Sequence, residues 1–93
     1  MHREALAKGL IELADAVEGG RPARVIAGLL ADNEIACHGA IAEQTGAAQE
    51  LLRHFIHALE TWQRVWPQMG SREEFRMAVV REARQWSARL RAK

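Results

Sequence analysis

Tyrosine is absent from this chain, cysteine occurs once and proline twice. The single Cys37 cannot close an internal disulfide, which excludes a disulfide scaffold and fits a reducing compartment. β-branched residues are few and no useful stretch alternates apolar with polar side chains, so strands are not expected. No run reaches the roughly eighteen apolar residues a membrane span needs. Met1-His2-Arg3-Glu4 leads into no apolar signal core, so the expected location is cytoplasmic. The ingredients of catalysis are missing as well. Gly19-Gly20 has neither a preceding strand nor the Lys-Ser/Thr of a phosphate loop. The only paired carboxylates, Glu73-Glu74, are adjacent and cannot share a helix face. Cys37 has no accompanying base and orienting group. No enzyme, no catalytic residue and no cofactor are expected.

What remains is a short globular composition: 93 residues, 48% hydrophobic and 27% charged. That is one domain over residues 1–93, with a thin core, since chains of this size bury only about 60–65% of their unfolded surface. The net charge is +1, but it is unevenly spread. Arg72, Arg76, Arg81, Arg84, Arg89, Arg91 and Lys93 face only Glu73, Glu74 and Glu82 in the last segment, so the end is basic and the rest mildly acidic.

Helical periodicity runs throughout and predicts an all-α fold with about five helices. Leu6, Leu10, Leu13 and Val17 make one stripe over residues 3–18, closed by Gly19-Gly20 in a left-handed cap, after which Pro22 opens a second helix. That helix carries Val25, Ile26, Leu29 and Leu30. It could continue to residue 44, with Asn33 inside its apolar stripe, or break at Asp32-Asn33-Glu34 and resume over 37–44. The break is the preferred reading, because Asp and Asn favour turns and a buried seam disfavours Asn. A long helix from Ala47 or Ala48 to Trp66 follows, with Leu51, Leu52, Phe55, Ile56, Leu59, Trp62 and Trp66 on one face, closed by Pro67 and Gly70. Ser71-Arg72-Glu73-Glu74 has the form of a capping box. The last helix, within the basic segment 71–93, turns Phe75, Val79, Ala83, Trp86 and Leu90 inward. The three tryptophans fall on apolar faces and read as core or interface anchors.

The stretch from His38 to His57 resembles the helix-turn-helix of bacterial transcription regulators. Ala42 stands where two crossing helices need a small residue, Gly46 where the turn needs a positive φ, and Ile41, Leu52 and Phe55 where the inner faces need apolar groups. The resemblance covers about residues 24–60 and points to no particular family. It implies a tri-helical core at 22–66 without a wing, flanked by an N-terminal and a C-terminal helix. It further implies a small DNA-binding transcriptional regulator whose helix beginning near Ala48 reads the major groove. With Leu51, Phe55, Leu59 and Trp62 inward, the DNA-binding residues would be Gln49, Glu50, Arg53, His54 and His57, with Arg24 and the basic end on phosphates. The stripes of the first and last helices are the expected surface of a homodimer.

Two other readings remain open. Glu50, His54 and His57 share a helical stripe that His38 or Cys37 could complete as a metal site, but the stripe faces away from the apolar side and reads as solvated, so no metal is expected. Glu50 on the reading face, the near-zero net charge and the load of Trp also suit a helical protein-interaction module, an adaptor or inhibitor built on a degenerate helix-turn-helix.

Overall fold

The computed structural model describes residues 2–92; Met1 lies outside them, as does Lys93 with its share of the basic end. The described residues form four α-helices and no strand: α1 (His2–Glu18), α2 (Ala23–Glu43), α3 (Gly46–Met69) and α4 (Glu73–Arg91). The all-α expectation holds, with four helices in place of five. Arg3 donates to the carbonyls of Leu90 and Ala92, and Arg76 to that of Val17, so α1 and α4 run antiparallel. Asn33 against Gly9, and Cys37 against Leu52, set the same sense for α1 with α2 and α2 with α3. At about 1.5 Å per residue, the 21 residues of α2 span about 31 Å. The molecule measures 36 × 21 × 20 Å, so α2 and the longer α3 must both lie along its long axis. The result is an up-down-up-down arrangement in which α1 packs between α2 and α4, and α3 packs against α2.

Residue size sets the spacing of the seams. Leu6, Ala7, Leu10, Leu13, Ala14, Ala16 and Val17 make α1 the most internal helix. Its small residues let it approach α4, where the buried Ser87 hydroxyl donates to the Ala7 carbonyl at 2.7 Å. Close backbone approaches between α3 and α4 are few, because rings fill that seam. Phe55 stacks on Trp86 with centroids 4.5 Å apart and meets Trp62 edge-on at 5.9 Å. Trp66 tilts against Phe75 at 5.4 Å.

The first turn follows its glycines. Gly20 takes φ +71°, and the Arg21 amide reaches back to the Ala16 carbonyl at 3.0 Å, the bonding that ends a helix in a left-handed residue. Gly46, at φ +61°, reverses the chain between α2 and α3.

Several expectations are corrected. There is no break at Asp32-Asn33-Glu34; α2 is continuous, and the short helix over 37–44 is its final part. Asn33 sits in the seam, 2% exposed, because its amide donates to the carbonyls of Leu29 at 2.9 Å and Gly9 at 3.2 Å. Gly9 is what admits it: a Cβ there would collide with the Asn33 carboxamide oxygen. Ser71 does not cap α4. Arg72 holds that position without a side-chain cap bond, which puts Phe75, not Glu74, three residues on. Glu73 and Glu74 instead favour the dipole at the start of α4, and Arg89 and Arg91 at its end. α3 continues past Trp66 to Met69 with Pro67 inside its last turn. Ala42 is exposed, so it is not a small residue at a crossing, and Leu51 is 50% exposed rather than inward. The stripes of α1 and α4 are consumed in the chain's own core, which leaves them unavailable as a dimer surface.

Two outcomes follow from this packing. Gly9→Ala, which forces the Asn33 carboxamide out of its seam, should lower stability by about 1–3 kcal/mol, read as a shift of the urea midpoint. Arg84 hydrogen-bonds Glu18 and holds its carboxyl below the ordinary value of 4.5. A depressed folded-state pKa adds stability above the unfolded value that is lost as pH falls through the folded one. Arg84→Gln should therefore flatten the loss of stability below pH 4.5, measured by thermal melts across acid pH.

Candidate functional site

α3 begins at Gly46 and carries the expected reading residues in its first three turns. They do not form one free face. The side chain of Gln49 turns back to donate to the carbonyls of Ile41 and Gln44, both at 3.1 Å. It thereby adds a second donor to the Ile41 carbonyl, which already accepts the Gln44 amide, and ties down the Gln44 carbonyl, so its amide is spent on the turn. Arg53 lies 3.9 Å from Glu50, and His57 lies 3.7 Å from Glu60, all on the surface. His54 is exposed. Arg24 stands in the first turn of α2, the opposite end from the α2–α3 turn. Arg53 packs near the level of residues 36–37, which leaves about 20 Å between the two along the bundle at 1.5 Å per residue. Glu50, Arg53, His54 and His57 are thus gathered on outer α3, while Gln49 and Arg24 are not part of that group.

Half of the described arginines of the basic end are occupied, and Arg72, Arg81 and Arg91 stand exposed. Arg84 pairs with Glu18 at 2.9 Å and Asp15 at 3.4 Å. Arg76 holds the end of α1 through the Val17 carbonyl. Arg89 lies over the Trp86 ring, 5.3 Å from its centroid. Guanidinium groups that tie helices together are poorly placed to follow a phosphate backbone.

Cys37 is buried, its thiol directed to the Leu52 carbonyl at 3.8 Å. Burial, then the carboxylates of Glu34 and Glu60, push that thiol up to about 12. It packs as a small apolar side chain. Among the described residues no three His, Cys, Asp or Glu side chains gather as a metal-holding group.

The feature that sequence reasoning missed is the outer side of α2. Its core side is Ile26, Leu30, Asn33, Cys37 and Ala40. At 100° per residue, Arg24, Gly28, Ile35 and Ala42 point away from that side, with Ala31 beside them. A surface helix ordinarily carries charge along such a line. Here charge stands only at its start, at Arg24, and Ile35 is 71% exposed, while Val25 on the flank is 36% exposed. Among the described residues α2 is the one helix long and apolar enough to cross a membrane, yet only 28% of its most apolar stretch is buried. The sequence did carry the signal, because apolar residues run around the whole of α2. Splitting α2 at Asn33 concealed it.

No protein-family model matches the chain, and no curated protein or solved structure is detectably similar to it.

The Cys37 assignment has a direct check. A thiol reagent at pH 8 should leave the folded protein unmodified and react in step with unfolding when urea is added; fast labelling of the native state would show that the thiol is accessible.

Proposed function

We propose that this chain is a helical protein-interaction module that docks through the outer face of α2. The observation that carries this reading is Ile35, held 71% exposed at the centre of an apolar helix face that no other described residue covers. Isolated surface apolar groups are commonplace. Here Ile35 stands on an uncharged run of that face from Gly28 to Ala42, the kind of surface that helix-in-groove and helix-on-helix recognition use. The rigid α1–α2 seam, locked by Asn33, holds that face in one orientation and lowers the ordering cost of binding.

DNA binding by a helix-turn-helix regulator is the second reading. It is favoured by the turn at Gly46 and by Arg53 and His54 exposed on the helix that follows. Against it stand the steep crossing such a motif needs, where α2 and α3 lie side by side, and Gln49, already committed to the turn. Glu50 also faces outward beside Arg53, where it would repel phosphate.

The two readings part in one experiment. The docking reading expects the full chain to show no duplex-DNA binding at low salt, and Ile35→Lys to reduce binding of an apolar-surface dye while Arg53→Ala leaves it unchanged. Retention on duplex DNA that falls steeply between about 50 and 200 mM salt, and that is lost in Arg53→Ala, would replace it with the DNA reading.

A further inference from the structure

The outer face of α2 has a property that self-pairing explains. Gly28 lies inside the helix, and a Cβ built on it would meet nothing within 4 Å. Alanine there would favour the helix by about 1 kcal/mol, so nothing within the chain calls for glycine. A backbone approaching from outside would call for it.

We propose that two copies of this chain pair through α2, antiparallel, across a two-fold axis at Gly28. The inference rests on the docking reading above and supplies its partner. In such a pair, a residue a given number of positions after Gly28 lies level with the residue the same number before it on the partner. Arg24 and Asp32 stand four positions to either side. The axis therefore brings each Arg24 level with an Asp32 carboxylate of the other copy, two opposite-charge pairs from one symmetry operation. Both side chains are exposed in the single chain. Ala31 falls level with Val25, and Ile35 reaches past the first residue of the partner's α2, Ala23, toward the turn that precedes it. At the axis, the two glycines let the backbones close together.

The charges also choose the register. An axis between Ala31 and Asp32 would set the two Asp32 carboxylates side by side, a like-charge contact. An axis at Ile35 would carry Arg24 beyond the end of the partner's α2 and leave Asp32 without it. Only the axis at Gly28 joins the unexplained glycine to charge complementarity. A groove between α1 and α2, lined by Glu12, Asp15, Ala16, Arg21, Val25 and Leu29, continues the surface on one side.

Sedimentation equilibrium of the full chain at neutral pH tests the pairing. The wild type should approach twice 10.4 kDa at high micromolar concentration. Gly28→Leu, whose side chain meets nothing within the chain but blocks the axis, and Arg24→Glu should each sediment at 10.4 kDa with unchanged helical circular dichroism. Arg24→Glu adds an acid to the first turn of α2, which its own dipole favours, so lost pairing would not report lost folding. The double variant Arg24→Glu/Asp32→Arg reverses both partners and should restore the dimer. A wild type that stays monomeric throughout, an Arg24→Glu dimer as tight as wild type, or a charge reversal that fails to rescue would each overturn this pairing. A monomeric wild type whose dye binding still falls on Ile35→Lys would sink the self-pairing alone and leave the docking face standing. Salt-sensitive DNA binding lost in Arg53→Ala would sink the docking reading itself.

Discussion

The close seam between α1 and α2, where the Asn33 amide bonds the Gly9 and Leu29 carbonyls, is the constraint on which the rest of the molecule depends. A slip of α2 along α1 by one turn would lose the Gly9 bond and press the Asn33 carboxamide against a residue that carries a side chain, while the Leu29 bond, internal to α2, would remain. Glycine at position 9 makes the approach possible, and no other residue could occupy it without displacing Asn33. With the register fixed there, α1 is committed to the centre. Arg3 and Arg76 then hold α4 to its two ends. What α2 has left over, the side opposite Ile26 and Leu30, is set outward with equal rigidity. The exposed face is thus a consequence of the same bond pair that makes the core specific.

A contrast between two kinds of seam explains the shape. On the α1 side, alanine, glycine and serine allow backbones to approach, and specificity comes from single polar bonds. On the α3–α4 side, rings fill the gap and specificity comes from ring geometry. The half-buried Trp86 is stacked on one face by Phe55 and approached by Arg89. A short chain gains much of its apolar burial from a few large side chains in this way, which offsets the thin core expected of its length.

Much of the fold was legible in the amino-acid order. The stripes Leu6–Leu10–Leu13–Val17 and Val79–Ala83–Leu90 are buried, and Gly20 and Gly46 hold the positive φ angles that their positions suggested. What was not legible was the partner of a polar group. Asn33 looked like a helix breaker because propensity weighs a residue alone, whereas its stability in the seam depends on Gly9, 24 positions away. Leu51 has the same lesson with the opposite sign. Its spacing matches the buried face, but the wide aromatic seam between α3 and α4 leaves it at the rim. The candidate site was the least legible part. The DNA-reading set follows from helical angle and an inward face that includes Leu51, and angle alone does not show that Gln49 folds back on the turn.

Charge patterning has to be weighed after such local commitments are counted. The C-terminal segment is basic in sequence, which taken alone suggests a polyanionic partner. In three dimensions Arg76 and Arg84 are interhelical ties, and Arg89 is a ring cover. Of these only Arg84 is held by acids, Glu18 and Asp15, in pairs that stay at the surface. On α2 the situation is reversed. There the chain carries few charges, and Arg24 and Asp32 are left at the surface on either side of an apolar face. Charges without a partner inside the chain, flanking an apolar strip, carry more information about a partner than a larger number already paired, because they remain available to set its orientation and register. That asymmetry moves the functional emphasis from the arginine-rich end of the chain to its most apolar helix.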